Sequence, residues 1–424
     1  MKNYRPISLL SHLYKLFTRI LQTRLLSILD RYQPREQAGF RKGFSSIDHL
    51  HALNNIIAAS NEFNLEINVG YIDFEKAFDS VEHEAFLGTL TNIGVNQIYV
   101  DILRDIYTDA IAKIHLDDEV SSVIKIERGV RQGDPISPKL FTVALEEVFG
   151  KTNIGDKGLN IDGERLSDLR FADDVALISE SLDGLEDQLN ELDEQCRKIG
   201  LKMHKGKTKF MTNYNNVRRI KIGEEEIEQV SVYKYLGQEI RTRDSMDHEL
   251  QNRIQSGWKI YTKYKEILRN KRIPISLKRK IFDQCILPTV TYGCQTWSLT
   301  QQQKKKLRTF QRAVERSMLN ISLRDQIPHE QIRRRTEVQD ILQYVGMMKW
   351  RWAGHVARFK DNRWTKRTND WSPYTGRRSR GRPPVRWRDD IINYETSVWQ
   401  WRGQDRTYWR QRGEGFIQRW MAIA

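Results

Sequence analysis

The chain has 424 residues, 39% of them apolar, and Lys plus Arg outnumber Asp plus Glu by 70 to 55 for a net charge of +15. That length exceeds the ~250–300 residues one hydrophobic core usually serves, so two or three domains are expected. No apolar run reaches ~18 residues and the first thirty residues carry charges throughout, which excludes a membrane span and a secretory leader and leaves an intracellular protein, nuclear or cytoplasmic, as the expectation.

Leu10, Leu13, Leu16, Phe17, Ile20, Leu21, Leu25 and Ile28 recur at helical spacing, with Ser8 or Ser11 placed to cap the entry. After the turn-rich QPREQAGFRKGFSS a second helix is expected from Ile47 to about Ala59. LEINVGYIDFEKAFDSV then switches to near-alternation ending in an acid, as a half-buried strand would. Helices follow over Glu82–Ile93 and Gln97–Thr108, and Ile111–Glu127 alternates like two strands around LDDE. RGVRQGDPISPKLF breaks regular structure with its glycines and prolines before a helix from about Pro138 to Val148. LRFADDVALIS predicts a hairpin with Asp173 and Asp174 at its tip. A helix from Asp183 to Ile199 and short strands around LKMHKGKTKFM and VSVYKYLGQEI complete this part. From Asp247 to Met348 the pattern is mostly helical, with Leu307, Phe310, Val314, Met318 and Ile321 as one apolar stripe. This mixed order predicts an α+β fold with an antiparallel sheet backed by helices.

The charge is concentrated at the end. Residues 346–424 hold eighteen Lys plus Arg against seven Asp plus Glu, +11 of the total +15, and nine of the eleven tryptophans. Basic side chains interleaved with large aromatics suit phosphate neutralisation and base stacking, so this tail is expected to bind nucleic acid, a solvated basic surface over a Trp-anchored core being the alternative. Within it SPYTGRRSRGRPPVR is expected to be an exposed arm, and Arg380, Gly381, Arg382 and Pro383 form an AT-hook core that suits a narrow A·T minor groove. Cys196, Cys285 and Cys294 are too few and too scattered for a disulfide framework or a four-ligand zinc site.

Two adjacent carboxylates at a sheet rim repel each other unless a cation neutralises them. A third acid, Asp73, ends the strand about a hundred residues upstream. Should the two strands pair, three carboxylates with phosphate oxygens and water would hold two Mg2+ ions ~3.5–4 Å apart, which is equipment for phosphoryl transfer.

NYRPISLL, QAGFRKG, YIDFEKAFDSV, GVRQGDPISPKLF, RFADDVALIS, GLKMHKGKTK and YLG occur in the order of the motifs of reverse transcriptases, and their wording resembles that of non-LTR (LINE-type) retrotransposons. The resemblance covers about Asn3 to Ile240. It implies a right-hand polymerase with fingers and antiparallel-sheet palm over 1–240, a helical thumb over 241–345 and the basic tail over 346–424. It implies an RNA-directed DNA polymerase that extends a DNA primer or target DNA with dNTPs on an RNA template. A catalytically silent nucleic-acid-binding remnant is the alternative.

By the same resemblance Asp73, Asp173 and Asp174 are the catalytic acids. Asp73 and Asp173, with the backbone carbonyl of Phe74, hold two Mg2+ ions, replaceable by Mn2+, and Asp174 supports them less directly. Glu75 and Asp79 receive no metal role. Phe78 lies beneath the incoming sugar, where its ring would clash with a ribose 2′-hydroxyl. Gln132 and Gly133 hold nucleotide and template, and Arg41 grips the triphosphate with a forked guanidinium. Lys207 stands near the leaving pyrophosphate, with Lys205 and Lys209 as close alternatives, and Tyr235, Leu236 and Gly237 form the primer grip. The strand that normally precedes the first motif and the usual endonuclease domain are missing, which suggests an N-terminally truncated reading frame with a separate partner for DNA nicking.

Overall fold

The computed structural model describes residues 7–116, 119–214, 219–243, 245–378, 380–381 and 383–422. Asn3 to Pro6 of the first motif, Asp117 and Asp118 of the LDDE turn, and Arg382 of the AT-hook core lie outside them. The chain forms two compact units, one of Met1–His49 with Leu65–Tyr233, the other of Leu50–Asn64 with Lys234–Ala424.

In the first unit helix α1 (His12–Tyr32) begins where Ser11 Oγ accepts the Tyr14 N–H. Its second half is buried through Leu21, Leu25 and Leu29, whereas Leu13 and Leu16 stay 80% and 59% exposed. The apolar stripe is thus longer than the surface that covers it. Helix α2 (Ser46–Phe63) starts in this unit and ends in the other.

Strand β1 (Asn68–Ile72) is buried at every residue. Helix α3 (Ser137–Gly150) is buried along most of its length. The expected hairpin forms from β2 (Asp168–Phe171) and β3 (Asp174–Ser179), followed by helix α4 (Leu182–Lys198) and strands β4 (Lys209–Thr212), β5 (Ile220–Ile222) and β6 (Glu225–Gln229). These six strands make one sheet in the order β5-β6-β4-β1-β3-β2. It is antiparallel except between β4 and β6, which run parallel. Side chains alternate along β1, so Gly70 faces α4, where an added Cβ would stand 3.1 Å from Leu185, while Tyr71 faces the opposite side and stacks on Tyr233 at 4.2 Å. In place of two longer strands, Ile111–Ala112 pairs with Ile124–Lys125 and His115–Leu116 with Glu119–Val120, each two residues long.

The second unit is helical. Helix α5 (Gln301–Leu319) opens with a capping box between Thr300 and Gln303 and buries Leu307, Phe310, Val314 and Met318; Ile321 lies beyond its end. Helix α6 (Ile341–Arg358) runs straight through the expected boundary at residue 345, so the thumb and tail of the sequence-based division share one unit. The reason is packing. Trp350, Trp364, Trp371, Trp387, Trp399, Trp409 and Trp420 are buried, and only Trp401 is largely exposed, at 77%. The indoles expected to stack on bases instead form core, since burying them removes large apolar areas from water. The closing helix, α7 (Arg406–Ala422), lies against α6. Buried lysines join the core too, Lys304 Nζ donating to the Trp420 carbonyl at 2.7 Å and Lys349 Nζ to that of Trp297 at 3.0 Å. The Arg-rich arm is tied at its middle and at its end to one carboxylate, Glu62, by Arg378 at 2.7 Å and Arg386 at 2.6 Å. No helix among the described residues is long and apolar enough to cross a membrane.

Candidate active site

The register of β1 and β3 organises the site. Tyr71 pairs with Ala176 and Ile72 with Val175, so one further step sets Asp73 opposite Asp174 on the face of Tyr71 and Tyr233. Both carboxylates act on Tyr233, whose hydroxyl is pushed up to about 12 by burial first and by Asp73 and Asp174 next. Asp173 occupies the two-residue turn between Phe171 and Asp174, which pair with each other.

That turn is held from below. Ala172 takes the left-handed backbone conformation, at φ +58°. Gln37 Oε1 accepts both the Gly39 and the Ala172 N–H groups at 2.9 Å. Arg170 exchanges backbone hydrogen bonds at 2.8 Å with Ala38 and Glu36, so the QAGF segment runs alongside β2. A side chain at position 39 would stand 2.4 Å from the Ala172 nitrogen, and glycine alone permits this approach. The buried Arg170 guanidinium is paired with Glu146 at 2.7 Å and Asp168 at 2.8 Å and lies 3.9 Å over the Phe149 ring.

The loop after α4 flanks Asp73. His204 N–H donates to the Asp73 carbonyl at 2.7 Å, Glu75 N–H to the Lys202 carbonyl at 2.9 Å, and Phe74 bridges to Met203. This brings Lys207 Nζ to 3.3 Å from Asp73 Oδ2. Lys205 is bound elsewhere, to the Ile222 carbonyl and Glu225, and Lys209 to the Gly206 carbonyl and Glu228. Asp73 Oδ2 is buried and accepts no hydrogen bond. Among the described residues no three His, Cys, Asp or Glu side chains gather closely enough to enclose a metal ion. The shared strand register nevertheless sets Asp73 and Asp174 side by side, and their hard oxygens, one of them buried with the Lys207 ammonium 3.3 Å away, suit Mg2+.

A second cluster surrounds Phe78. Its ring stacks on Phe141 at 4.3 Å and meets Phe40 edge-on at 6.3 Å, which carries the neighbouring Arg41 segment toward it. Arg41 itself donates to the Pro34 carbonyl at 2.7 Å and lies over the Phe44 ring. Gln132 Nε2 donates to Asp79 Oδ1 at 2.9 Å, and the Val130 N–H to the Phe78 carbonyl at 2.7 Å. Gly133 has φ +109°, a conformation side chains avoid, beside the backbone of Ser8, whose N–H donates to the Gln132 carbonyl at 2.9 Å. Asp79, given no metal role from sequence, thus holds the Gln132 side chain. Gln37, Tyr233 and Thr208, whose hydroxyl accepts the Asp73 N–H at 3.4 Å, also escaped the motif reading, because only tertiary packing brings them to the acids.

In the second unit Leu236 and Gly237 form the turn between strands β7 (Val232–Tyr235) and β8 (Gln238–Arg241), both with positive φ. Tyr292 Oη donates to the Leu236 carbonyl at 2.9 Å, Arg253 bonds that of Gly237, and the Tyr235 ring is buried. The turn is therefore docked on the PTVTYGCQTW stretch.

Residues 1–240, more than half of the chain, match the reverse transcriptase (RNA-dependent DNA polymerase) family. A transposon-derived protein of Caenorhabditis elegans is 32% identical over 245 residues, covering 55% of this chain and 86% of that one. The Pol polyprotein of the type-1 retrotransposable element R2 of Bradysia coprophila is 30% identical over 49% of this chain and 24% of its own length. The RNA-directed DNA polymerase from the mobile element jockey of Drosophila melanogaster is 25% identical over 70% of this chain and 33% of its own. The chain thus spans about a quarter to a third of those two longer relatives. With this family match over more than half of its length and these relatives beside it, the chain belongs to the reverse transcriptase family, in its non-LTR retrotransposon branch.

Proposed function

We propose that this chain extends a DNA primer with deoxynucleotides on an RNA template at the edge formed by Asp73, Asp173 and Asp174. The primer 3′-hydroxyl attacks the α-phosphate of a bound triphosphate, forming the new ester bond while pyrophosphate leaves. The observation that carries this reading is the β1–β3 register, which joins two acids a hundred residues apart next to a desolvated oxygen of Asp73. Asp73, Asp173, Asp174 and the Phe74 carbonyl are the groups that would hold Mg2+, or Mn2+ in its place. When bound, two such ions would acidify the attacking hydroxyl and neutralise the triphosphate.

The remaining roles belong to the chain's own side chains. Lys207, 64% exposed on a flexible stem, is within reach of a leaving group near Asp73 and would give it a proton. Arg41 would grip the triphosphate, and Gln132, steadied by Asp79, would position the nucleotide with Gly133 allowing close backbone approach. The Phe78 ring would bar a 2′-hydroxyl. Tyr235, Leu236 and Gly237, braced by Tyr292 and Arg253, would guide the primer end.

The test is extension of oligo(dT) on poly(rA) with Mg2+ and then with Mn2+. Incorporation of dTTP by the wild type, lost in Asp73→Asn and in Asp173→Asn with RNA affinity held within a few-fold, is the expected result. Equal activity in the two variants would defeat the assignment.

A further inference from the structure

We propose that the groove between α6 and α7 binds a single RNA strand by its phosphates, a site that rests on the polymerase reading for the identity of its ligand. The groove has a volume of about 960 Å³. Its floor is a locked tryptophan pair. The Trp350 and Trp409 rings stack at 3.8 Å, only 4° from parallel, and each Nε1 donates to the other's backbone carbonyl, at 2.8 and 2.9 Å. A side chain at Gly354 would stand 2.6 Å from Trp409, so α6 and α7 are held at one close separation. The indole faces and donors are consumed within the protein. Bases have nothing on this floor to stack on.

The rim is cationic. Arg351 and Arg358 lie two turns apart on α6, and Arg406 and Arg410 one turn apart on α7. Arg333, at one end, is already neutralised by Glu315 and Asp340. That leaves four guanidinium groups against one exposed carboxylate, Glu414. Arg351, Arg406 and Arg410 are exposed and have no carboxylate partner among the described residues. Arg358 donates to the Gly403 carbonyl at 2.7 Å, and burial, then neighbouring Arg406, lowers its proton affinity. Like charges held together on a rigid frame are offset by a polyanion, and the guanidinium fork matches phosphate oxygens. A cleft of this size admits a short stretch of one strand. A duplex would meet only the rim.

The experiment uses the full chain and fluorescence polarisation with labelled oligo(U), single-stranded DNA and duplex DNA across a salt series. In the triple variant Arg351→Glu, Arg406→Glu, Arg410→Glu the Kd for oligo(U) rises at least tenfold. The slope of log Kd against log salt becomes shallower by about 2, three phosphates at ~0.7 each. The corresponding triple lysine variant stays within a few-fold. Should the triple glutamate variant fail to fold, as read by circular dichroism, Arg410→Glu alone carries the comparison with a slope change of about 0.7. Unchanged oligo(U) affinity and slope, or losses confined to either DNA, would overturn the proposal. Wild type that cannot extend a primer, with the oligo(U) effect intact, would sink the polymerase reading and leave the groove as an RNA site. Extension intact with oligo(U) binding indifferent to the substitutions would sink the groove alone.

Discussion

Three lysines follow one another at every second position from Lys205 to Lys209, and their surroundings separate them. Lys205 and Lys209 each hold a carbonyl and a glutamate, whereas Lys207 meets, among the described residues, the carboxylate of Asp73. Lys207→Ala should therefore lower kcat about 100-fold, the scale of general acid catalysis, with little change in KM. Lys205→Ala and Lys209→Ala should leave kcat near the wild type. Single-turnover extension checks both, and equal losses in the three variants would remove the assignment. Phe78 is wedged against Phe141 and Phe40, so its ring has one well-defined position. Phe78→Val keeps most of the packing and opens space, and the ratio of rNTP to dNTP incorporation should rise ~10-fold or more. No rise would mean that sugar selection lies elsewhere. The residue types at these positions were legible in the motifs. The choice among neighbouring lysines was not, because it depends on where the loop after α4 meets β1.

Helices and strands with strong local periodicity formed close to where their patterns put them, α3 and the β2–β3 hairpin among them. The exceptions share a cause. The α1 stripe continues past the surface that covers it, and the four strands at Ile111–Ala112, His115–Leu116, Glu119–Val120 and Ile124–Lys125 stop at two residues each, because partner surface rather than pattern sets how far an element extends or is buried. Helix α6 shows the opposite case, a charged and Trp-rich segment drawn inward by its indoles. Its fit against α7 is tight at Gly354, where an added methyl would press on the rigid Trp409 ring. Gly354→Ala should destabilise the chain by about 1–3 kcal/mol through overpacking, read as a lower denaturant midpoint for the second unit's tryptophan fluorescence. Gly94→Ala is no substitute control, since it strains a left-handed backbone; Gly88→Ala, in a helix and facing open space, is expected to be neutral or stabilising.

At the scale of the molecule, helix α2 carries one buried histidine into each unit. Burial holds His49 down to about 4 and His51 down to about 3, the latter lowered further by Lys349. Each is neutral when folded and takes a proton near pH 6.5 when unfolded. Their contribution is thus complete above pH 6.5 and is lost as the pH falls toward 4. Glu146, pushed up to about 7 by burial despite Arg170, works in the opposite direction, its contribution fading as the pH rises through 7. Thermal melts of wild type and His51→Gln from pH 7 to pH 4.5 isolate the histidine. The variant should lose less stability across that range, and parallel curves would show that His51 is not the titrating group.

The order and wording of the motifs sufficed to name the family and the α+β class and to nominate Asp73, Asp173 and Asp174 for the proposed site, because each motif is a local pattern of residue types that its own segment must contain. Whether distant segments meet is a different matter. Asp73 reaches Asp174 through the pairing of two strands, Gln132 reaches Asp79 because Gly129 and Val130 bond the backbone of Val81 and Phe78, and Gln37 supports the acidic turn from the far end of a glycine-bearing segment. Trp and Arg are amphipathic, so the composition of the last eighty residues fits a solvated arm and a folded core equally well. Only packing against the helices before it turned the tryptophans inward and left the arginines lining a groove.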